Sequence, residues 1–217
     1  MKIKWLGHSA FAFSLDSGPI IITDPFDSSA YNGAIKYPKI DIKADIVTYS
    51  HNHPDHCNRN LPGRPRVFDQ PGDYNISGIK IKGVPTFHDA SQGRQRGANI
   101  VFVFDMDGMR IAHLGDLGHV PTAGQIKEIG RVDVVLIPVG GYFTINAIEA
   151  VETAAKLCPG IIIPMHYKTG LIDFPISPAD DFLSRMSAVR RFDSNEVAVI
   201  RASLPPNSEV YVPAVPL

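Results

Sequence analysis

Four side chains able to bind a divalent cation fall within six residues, in the segment S-H-N-H-P-D-H-C that begins at Ser50. They are His51, His53, Asp55 and His56, in a 217-residue chain with eight histidines. Side chains at this spacing converge only where the backbone turns tightly, and Asn52 and Pro54 favour turns. Imidazole nitrogens and a carboxylate oxygen suit zinc, manganese, iron or nickel. Because one segment fills only part of a coordination shell, this feature predicts further ligands elsewhere in the chain.

The candidates for those further ligands each follow a short apolar run. His88 ends the run G-V-P-T-F-H, and His166 ends the run I-I-I-P-M-H. Asp116 lies in H-L-G-D-L-G-H, directly after a third run. Short apolar runs predict buried strands, so each candidate is placed at a strand end, where α/β proteins commonly build their sites.

The wider pattern predicts one continuous α/β domain over residues 1–217. Strands are predicted at residues 2–6, 10–14, 20–23, 45–49, 79–84, 99–104, 109–114, 134–138, 161–164, 197–201 and 209–212. Three helices are predicted: one capped by Thr122 with Gln125, one capped by Asn146 with Glu149, and one opening at Ser177-Pro178. Residues 26–43 and 58–78 are rich in proline, glycine and asparagine, which predicts long loops.

Composition narrows the classes of partner and compartment. The net charge is −1, so there is no surplus of Lys and Arg for stable binding to nucleic acid or an anionic membrane. Two cysteines cannot form a disulfide framework and fit a reducing compartment. The N-terminal segment M-K-I-K-W-L-G-H-S-A-F-A-F lacks the apolar stretch of a signal peptide. We therefore expect a cytoplasmic protein that acts on a small molecule, and its oligomeric state stays open.

The order of these motifs, H-x-H-x-D-H, a lone histidine, a G-D after a strand and a late strand-end histidine, resembles the metallo-β-lactamase superfamily along essentially the whole chain. The resemblance implies an α/β fold, a four-layer αβ/βα sandwich with metal ions at one edge of the sheets. It also implies the roles of the ligands: His51, His53 and His88 hold a first ion, Asp55, His56 and His166 hold a second, and Asp116 bridges them.

The same resemblance implies a reaction. A hydroxide held by one or two divalent ions, zinc in first place and manganese, nickel or iron as alternatives, would attack a small ester-type bond in a lactone or a phosphate ester. Asp55 would orient that hydroxide and take up its proton. The segments W-L-G-H-S, T-D-P and P-V-G-G-Y-F-T resemble a branch of small metal-dependent hydrolases related to L-ascorbate-6-phosphate lactonase.

For several other residues, the sequence allows either contact with the substrate or a packing role within the fold. The candidate substrate contacts are His8, Arg94, Arg96, His119, Tyr142 and Lys168. The side chains of Arg94 and Arg96 could bind a phosphate or carboxylate group of the substrate. The alternative is that they lie on a solvated basic loop without a ligand. His113 is predicted to be structural and Cys57 to face the packed side of its turn. Cys158 is predicted to lie in the core, on an apolar stripe with Ile148, Val151 and Ala155.

Two rival functions remain at this stage. The first is a phosphodiesterase or nuclease that cuts nucleotides or RNA. The second is a non-catalytic metal-binding or sensory protein. The complete set of seven candidate ligands argues against this second function.

Overall fold

The computed structural model describes all 217 residues and contains two mixed β-sheets. The strands of the first sheet are β1 (Lys2–Gly7), β2 (Ala10–Ser14), β3 (Ile21–Thr23), β4 (Ile46–Thr48), β5 (Arg66–Phe68) and β13 (Glu196–Ala198). The strands of the second are β6 (Gly72–Ile76), β7 (Ile79–Phe87), β8 (Ala98–Met106), β9 (Met109–His113), β10 (Val134–Pro138), β11 (Ile161–Met165), β12 (Val189–Arg191) and β14 (Glu209–Val212). The helices are α1 (Ala123–Ile129), α2 (Ala147–Leu157) and α3 (Asp180–Ser184).

The strand order brings several strand ends to one edge of each sheet. The first sheet runs β13-β1-β2-β3-β4-β5, with β3, β4 and β5 parallel. The second runs β12-β14-β11-β10-β9-β8-β7-β6. Strands β9, β10 and β11 are parallel, and β7 shares their direction because β8 is antiparallel to both β7 and β9. The carboxyl ends of β7, β9 and β11 therefore point to the same edge of the second sheet.

The two sheets pack face to face over the larger of two apolar cores. Alternate residues of β1 and β2, such as Trp5, Phe11 and Phe13, point into this core, as period-2 geometry requires. Phe13 meets Phe104 of the second sheet with ring centroids 5.4 Å apart. The opposite face of the first sheet carries the smaller core, which loop residues such as Phe26 and Ile172 cover. This is the α/β sandwich that the sequence predicts, with loops as the outer layer of the first sheet.

Local signals in the sequence predict the starts of two helices and one turn. The reciprocal capping boxes of Thr122 with Gln125 and of Asn146 with Glu149 are both present. Residues 107 and 108 form the two-residue turn between β8 and β9, with φ of 51° and 69°. These are the left-handed angles that an Asp-Gly turn favours. None of the three α-helices has the length and apolar content of a membrane-spanning helix.

Other expectations for the secondary structure were wrong. Strands β5 and β6 lie inside residues 58–78, which were expected to be loop, and β12 was not predicted. Helix α3 begins at Asp180, two residues beyond the expected proline start. The strand expected at residues 197–201 ends at Ala198, and a 3-10 helix begins at Arg201.

The expected core position of Cys158 was also wrong. Cys158 is exposed and ends α2 in the left-handed conformation, with φ of 49°. Ile148, expected on the same buried stripe, is 60% exposed. The face of α2 that packs inward carries the small residues Ala147, Ala150 and Ala154, together with Leu157. The buried positions 147, 150, 154 and 157 have the same spacing as the expected stripe and lie one residue earlier along the helix.

Candidate metal centre

The seven predicted ligands meet at the edge where the two sheets converge. His51, His53, Asp55 and His56 lie on the turn after β4. His88 directly follows β7, His166 directly follows β11, and Asp116 lies three residues after β9. His166 has a left-handed φ of 51°, which ends the strand at that residue. Each side chain is therefore positioned by a rigid strand end or by one tight turn.

The potential ligand atoms separate into two groups. His51, His53 and His88 form one, and Asp55, His56 and His166 form the other together with His8. Asp24, His51 and His56 form a further close set that links the two groups. Within each group the ligand atoms all lie within 4.8 Å of one another. Each group combines donors that zinc and its neighbours in the first transition row accept.

Asp116 lies between the two groups and reaches both of them. Its Oδ2 is 3.2 Å from His88 Nε2 and 3.3 Å from His166 Nε2. Its Oδ1 is 3.1 Å from His56 Nε2. The side chain is only 2% exposed, so bulk water does not surround this carboxylate. Asp116 can therefore contribute an oxygen to a cation in either group.

Two observations show that this pocket fits divalent cations. The buried atoms His56 Nε2, His166 Nε2 and Asp116 Oδ1 have no hydrogen-bond partner, although both imidazole nitrogens lie within 3.3 Å of a carboxylate oxygen of Asp116. Atoms that share a tetrahedral ion with bonds of about 2.0–2.1 Å lie roughly 3.3 Å apart, close to the separations seen around Asp116. Unpaired polar atoms are costly to bury, and a cation would satisfy them.

Asp24 orients one ligand histidine from behind. It follows β3, is fully buried, and its Oδ2 accepts a hydrogen bond from His56 Nδ1 at 2.9 Å. It also accepts from Ser50, both from the hydroxyl and from the backbone N–H, the latter at 2.7 Å. Because Asp24 holds His56 by Nδ1, Nε2 is the ring nitrogen that faces Asp116 and would bind a cation.

Asn99 and Gly118 fix the segments that carry Asp116 and His88. The side-chain oxygen of Asn99 accepts from Asp116 N–H at 2.9 Å, and its amide donates to Leu114 O at 3.0 Å. Gly118 packs against the backbone of His88 so closely that a β-carbon would overlap it. The Asp116 loop and the His88 loop are thus held directly against each other.

The buried charges favour a cation in the centre. Burial lowers the pKa of His8 to about 4 and that of His51 to about 3, so both are neutral at pH 7. Burial also opposes protonation of His56, but the carboxylates of Asp116 and Asp55 outweigh it and raise its pKa well above the usual value. Burial would raise the pKa of Asp116, yet the imidazoles of His166, His56 and His88 lower it well below its usual range. Neutral imidazoles and ionised carboxylates are the forms that bind metal ions, so a cation bound at His56 would take the place of the proton that the raised pKa of this imidazole favours.

His8 is buried within the metal centre, whereas the sequence suggests that it contacts the substrate. Its side chain is fully buried, and Nε2 is 3.3 Å from Asp55 Oδ2. Its ring centroid is 4.1 Å from that of His166. His113 is also buried, and its Nε2 pairs with Ser9 O at 2.8 Å, which confirms the structural role predicted for it. Cys57 is partly buried and packs against the smaller core.

Arg96 is the expected substrate contact that lies best for such a role. With His51 and His53 it lines a cavity of about 540 Å³. Its guanidinium lies 5.5 Å from the centroid of the Phe143 ring and has no carboxylate partner. Arg94 on the same loop is exposed.

The loop that carries Arg96 is held by one carboxylate. Asp89 accepts hydrogen bonds from the backbone N–H groups of Ser91, Gly93, Gln95 and Arg96, at 2.7–3.0 Å. Burial works against ionisation of Asp89, but these donors lower its pKa well below the usual range. The loop therefore has a fixed shape beside His88.

The other expected contacts are less available for a substrate. Lys168 Nζ donates to Phe174 O at 3.1 Å. Both ring nitrogens of His119 face backbone groups, Val120 O at 2.9 Å and Phe87 N–H at 3.4 Å. Tyr142 is 65% exposed and its ring packs on Phe143.

Three residues of the site escaped the sequence reasoning. Asp24 had a usable signal, since it follows an apolar run as the other strand-end ligands do. Asn99 had none, because an asparagine at the start of a strand is unremarkable in sequence. Tyr31 had none either, and its phenol donates a hydrogen bond to Asp55 Oδ1 at 3.0 Å.

Comparison with known proteins gives consistent matches along the chain. A family model described as the beta-lactamase superfamily domain matches residues 2–166, a span that includes all seven predicted ligands. A UPF0173 metal-dependent hydrolase of Thermoplasma acidophilum is 32% identical over 193 residues, 78% of this chain and 84% of that protein. A protein of the same description from Archaeoglobus fulgidus is 31% identical, and the match covers 87% of this chain and 91% of the relative.

A solved structure matches over almost the full length. The crystal structure of a metallo-beta-lactamase superfamily protein from Thermotoga maritima has a TM-score of 0.81 at 44% sequence identity. The match covers 97% of each chain. Sequence and structure comparisons thus agree on one family.

Proposed function

Because this chain belongs to the metallo-β-lactamase superfamily and is a metal-dependent hydrolase within it, we propose that it cleaves a small ester-type bond, in a lactone or a phosphate ester, at a centre of two divalent cations. The observation that carries the proposal is the convergence of seven side chains from four chain segments into two groups that share Asp116. A structural histidine cluster would satisfy its own hydrogen bonds, whereas here His56 Nε2, His166 Nε2 and Asp116 Oδ1 have no hydrogen-bond partner.

The ligands divide between the two cations as the geometry groups them. His51, His53 and His88 would hold the first ion, and Asp55, His56 and His166 the second, with Asp116 contributing to both. Zinc is the first choice, since histidine nitrogens and carboxylate oxygens both suit it, and the Thermotoga maritima relative carries the name of a candidate zinc-dependent hydrolase. Manganese, nickel and iron accept the same donors.

The cations would supply Lewis acidity and a nucleophilic water at neutral pH. Asp55 would orient that water and receive its proton at Oδ2, the oxygen that faces His8 and His56. Asp55 is ionised at neutral pH, because its imidazole neighbours lower its pKa even though burial acts in the other direction. His8, neutral at pH 7, lies within reach to take the proton onward from Asp55.

The surroundings of the centre support a substrate with a negative charge. Arg96 is partly buried, lines the same cavity as His51 and His53 and lacks a carboxylate partner, and a guanidinium binds phosphate or carboxylate through two parallel hydrogen bonds. Lys168 and His119 already form hydrogen bonds with backbone groups, so they are less available than Arg96 for binding an anion. A phosphorylated lactone or a simple phosphate ester meets both requirements, an ester-type bond and an anionic group.

A substrate panel tests this proposal. Metal-loaded protein is assayed on lactones, phosphate monoesters, phosphodiesters and dinucleotides, beside Asp116→Ala and the control Asp105→Ala. Asp105 makes an exposed ion pair with Arg110 at 3.0 Å, away from the centre. The proposal expects hydrolysis of a lactone or a phosphate monoester that Asp116→Ala abolishes and Asp105→Ala retains.

Other outcomes would contradict it. Activity confined to phosphodiesters and dinucleotides would favour a phosphodiesterase. Full metal occupancy with no turnover on any substrate would favour a non-catalytic metal-binding protein.

A further inference from the structure

Tyr31 makes a direct contact with a predicted metal ligand, although it lies in a loop far from the ligand turn in sequence. Its hydroxyl donates to Asp55 Oδ1 at 3.0 Å. The other carboxylate oxygen, Oδ2, is 3.3 Å from His8 Nε2 and 3.6 Å from His56 Nε2. The two oxygens of Asp55 therefore face different neighbours, and only Oδ2 faces the other ligands of its group.

The backbone at Tyr31 is held in a conformation that non-glycine residues rarely adopt. Tyr31 and Asn32 both have positive φ, 52° and 53°. Such angles persist only where the surroundings impose them, and they concentrate at functional sites. The ring is 45% exposed, so burial of the side chain does not account for the conformation.

Backbone hydrogen bonds fasten the Tyr31 segment to both sides of the centre. Asp27 N–H donates to Pro54 O at 2.8 Å, directly before Asp55, and Asn58 N–H donates to Pro25 O at 2.7 Å. On the other side, Asp173 N–H donates to Ala34 O at 2.8 Å. The loop therefore joins the ligand turn to the segment that follows His166.

Phe174 holds the ring of Tyr31 in place. The two rings meet edge to face, with centroids 5.3 Å apart and planes at 88°. Phe174 also meets the His8 ring at 5.5 Å, so the same side chain contacts both neighbours of Asp55. An exposed phenol with a chance contact would have neither this packing nor the fastened backbone.

We propose that Tyr31 is a positioning residue for Asp55: its hydroxyl occupies Oδ1, so that Oδ2 alone is presented to the second cation and to the reacting water. The expected effect of Tyr31 on turnover rests on the proposed function. The expected effect of Tyr31 on metal binding does not depend on which reaction the protein catalyses. Groups that hold a ligand by hydrogen bonds tune the affinity of the metal site that the ligand serves.

Calorimetric titration of chelator-treated protein with Zn²⁺, and separately with Mn²⁺, tests the proposal without any substrate. The variants are Tyr31→Phe, which removes only the hydroxyl, and the control Tyr74→Phe, whose hydroxyl donates to the backbone oxygen of Gln70 at 2.9 Å and to none of the predicted ligands. Tyr31→Phe is expected to weaken binding of the second ion about 10-fold, with binding of the first ion unchanged. Tyr74→Phe is expected to bind both ions as the unmodified protein does.

Kinetics give the second readout once a substrate is found. Tyr31→Phe is expected to lower kcat about 10-fold with KM little changed, because the hydroxyl acts through Asp55 rather than on the substrate. Wild-type affinity for both ions in Tyr31→Phe would overturn the proposal, and so would a single binding phase that the substitution leaves unchanged. Failure of the proposed function looks different: both ions bind, Tyr31→Phe weakens the second, and no ester is cleaved.

Discussion

Replacing Asp24 by Asn should weaken metal binding without changing any predicted ligand, because Asp24 supports the ligand His56 on the side away from Asp116. Asp24 Oδ1 accepts from Ser50 N–H, and Oδ2 accepts from the Ser50 hydroxyl and from His56 Nδ1. If the amide oxygen keeps the Ser50 N–H, the new NH₂ group faces His56 Nδ1. His56 must then accept at Nδ1 and carry its proton on Nε2, the atom that faces Asp116. The substitution therefore blocks the lone pair that a cation needs.

Two magnitudes follow from these contacts. The lost hydrogen bond between His56 and a buried carboxylate should lower the free energy of unfolding of the metal-free protein by about 2–3 kcal/mol. Affinity for the second ion should fall about 10–100-fold, the usual effect of removing a carboxylate that orients a ligand histidine. The first ion should be affected less, because Asp24 reaches its ligand His51 through the Ser50 hydroxyl, which lies 2.9 Å from His51 Nδ1.

Urea unfolding of chelator-treated protein and calorimetric metal titration measure these two effects. Asp45→Asn is the matched control: its carboxylate also accepts from a backbone N–H, that of Ile20 at 2.9 Å, but at an exposed position. The control should change the free energy of unfolding by about 1 kcal/mol or less and leave both metal affinities unchanged. Unchanged affinity for the second ion in Asp24→Asn would refute the role given to Asp24.

Three further predictions concern acid stability, a ligand and a loop. The metal-free protein should lose stability as pH falls from about 6.5 to 4. Burial lowers the pKa of His8 to about 4 and that of His51 to about 3, so below pH 6.5 the unfolded chain binds protons that the folded chain does not. Urea unfolding at pH 7 and pH 5 measures this loss of stability, and equal free energies of unfolding at the two pH values would contradict it. Asp55→Ala should leave the fold intact by circular dichroism and reduce bound metal from about two ions to about one by elemental mass spectrometry, because a ligand of the second ion is lost; two retained ions would exclude that role. Asp89→Ala should speed trypsin cleavage at Arg96 about 10-fold or more, because the charged acceptor that shapes the loop is removed; an unchanged rate would show that the loop keeps its shape without it.

Sequence patterns predict this fold well where structure depends on near neighbours. The capping boxes at Thr122 and Asn146 join residues three apart, so the pattern alone shows them. Most long apolar strands were also evident, because burial on both faces requires continuous apolar runs. Strand β6 was missed because it lies at the edge of its sheet, and its sequence G-D-Y-N-I has few apolar residues. Cys158 was misplaced because periodicity shows which residues share a face of a helix but not where the helix ends.

The same distinction applies to the metal centre. Its predicted ligands all end apolar runs or share one short segment, so the sequence marks them without knowledge of which strands are neighbours. The residues that support the ligands act across the chain: Asp24 reaches His56 and Tyr31 reaches Asp55 only after β3, β4 and the ligand turn have packed. The sequence marks Asp24 as a strand-end residue but does not show that it contacts His56, and it gives no local sign of Tyr31.

The most direct test of the binuclear centre is the metal content of the purified chain. Elemental mass spectrometry on protein prepared without added metal or chelator should find about two divalent ions per chain, as the two ligand groups around Asp116 predict. Near-zero metal, with no uptake when Zn²⁺ or Mn²⁺ is titrated in, would contradict the account.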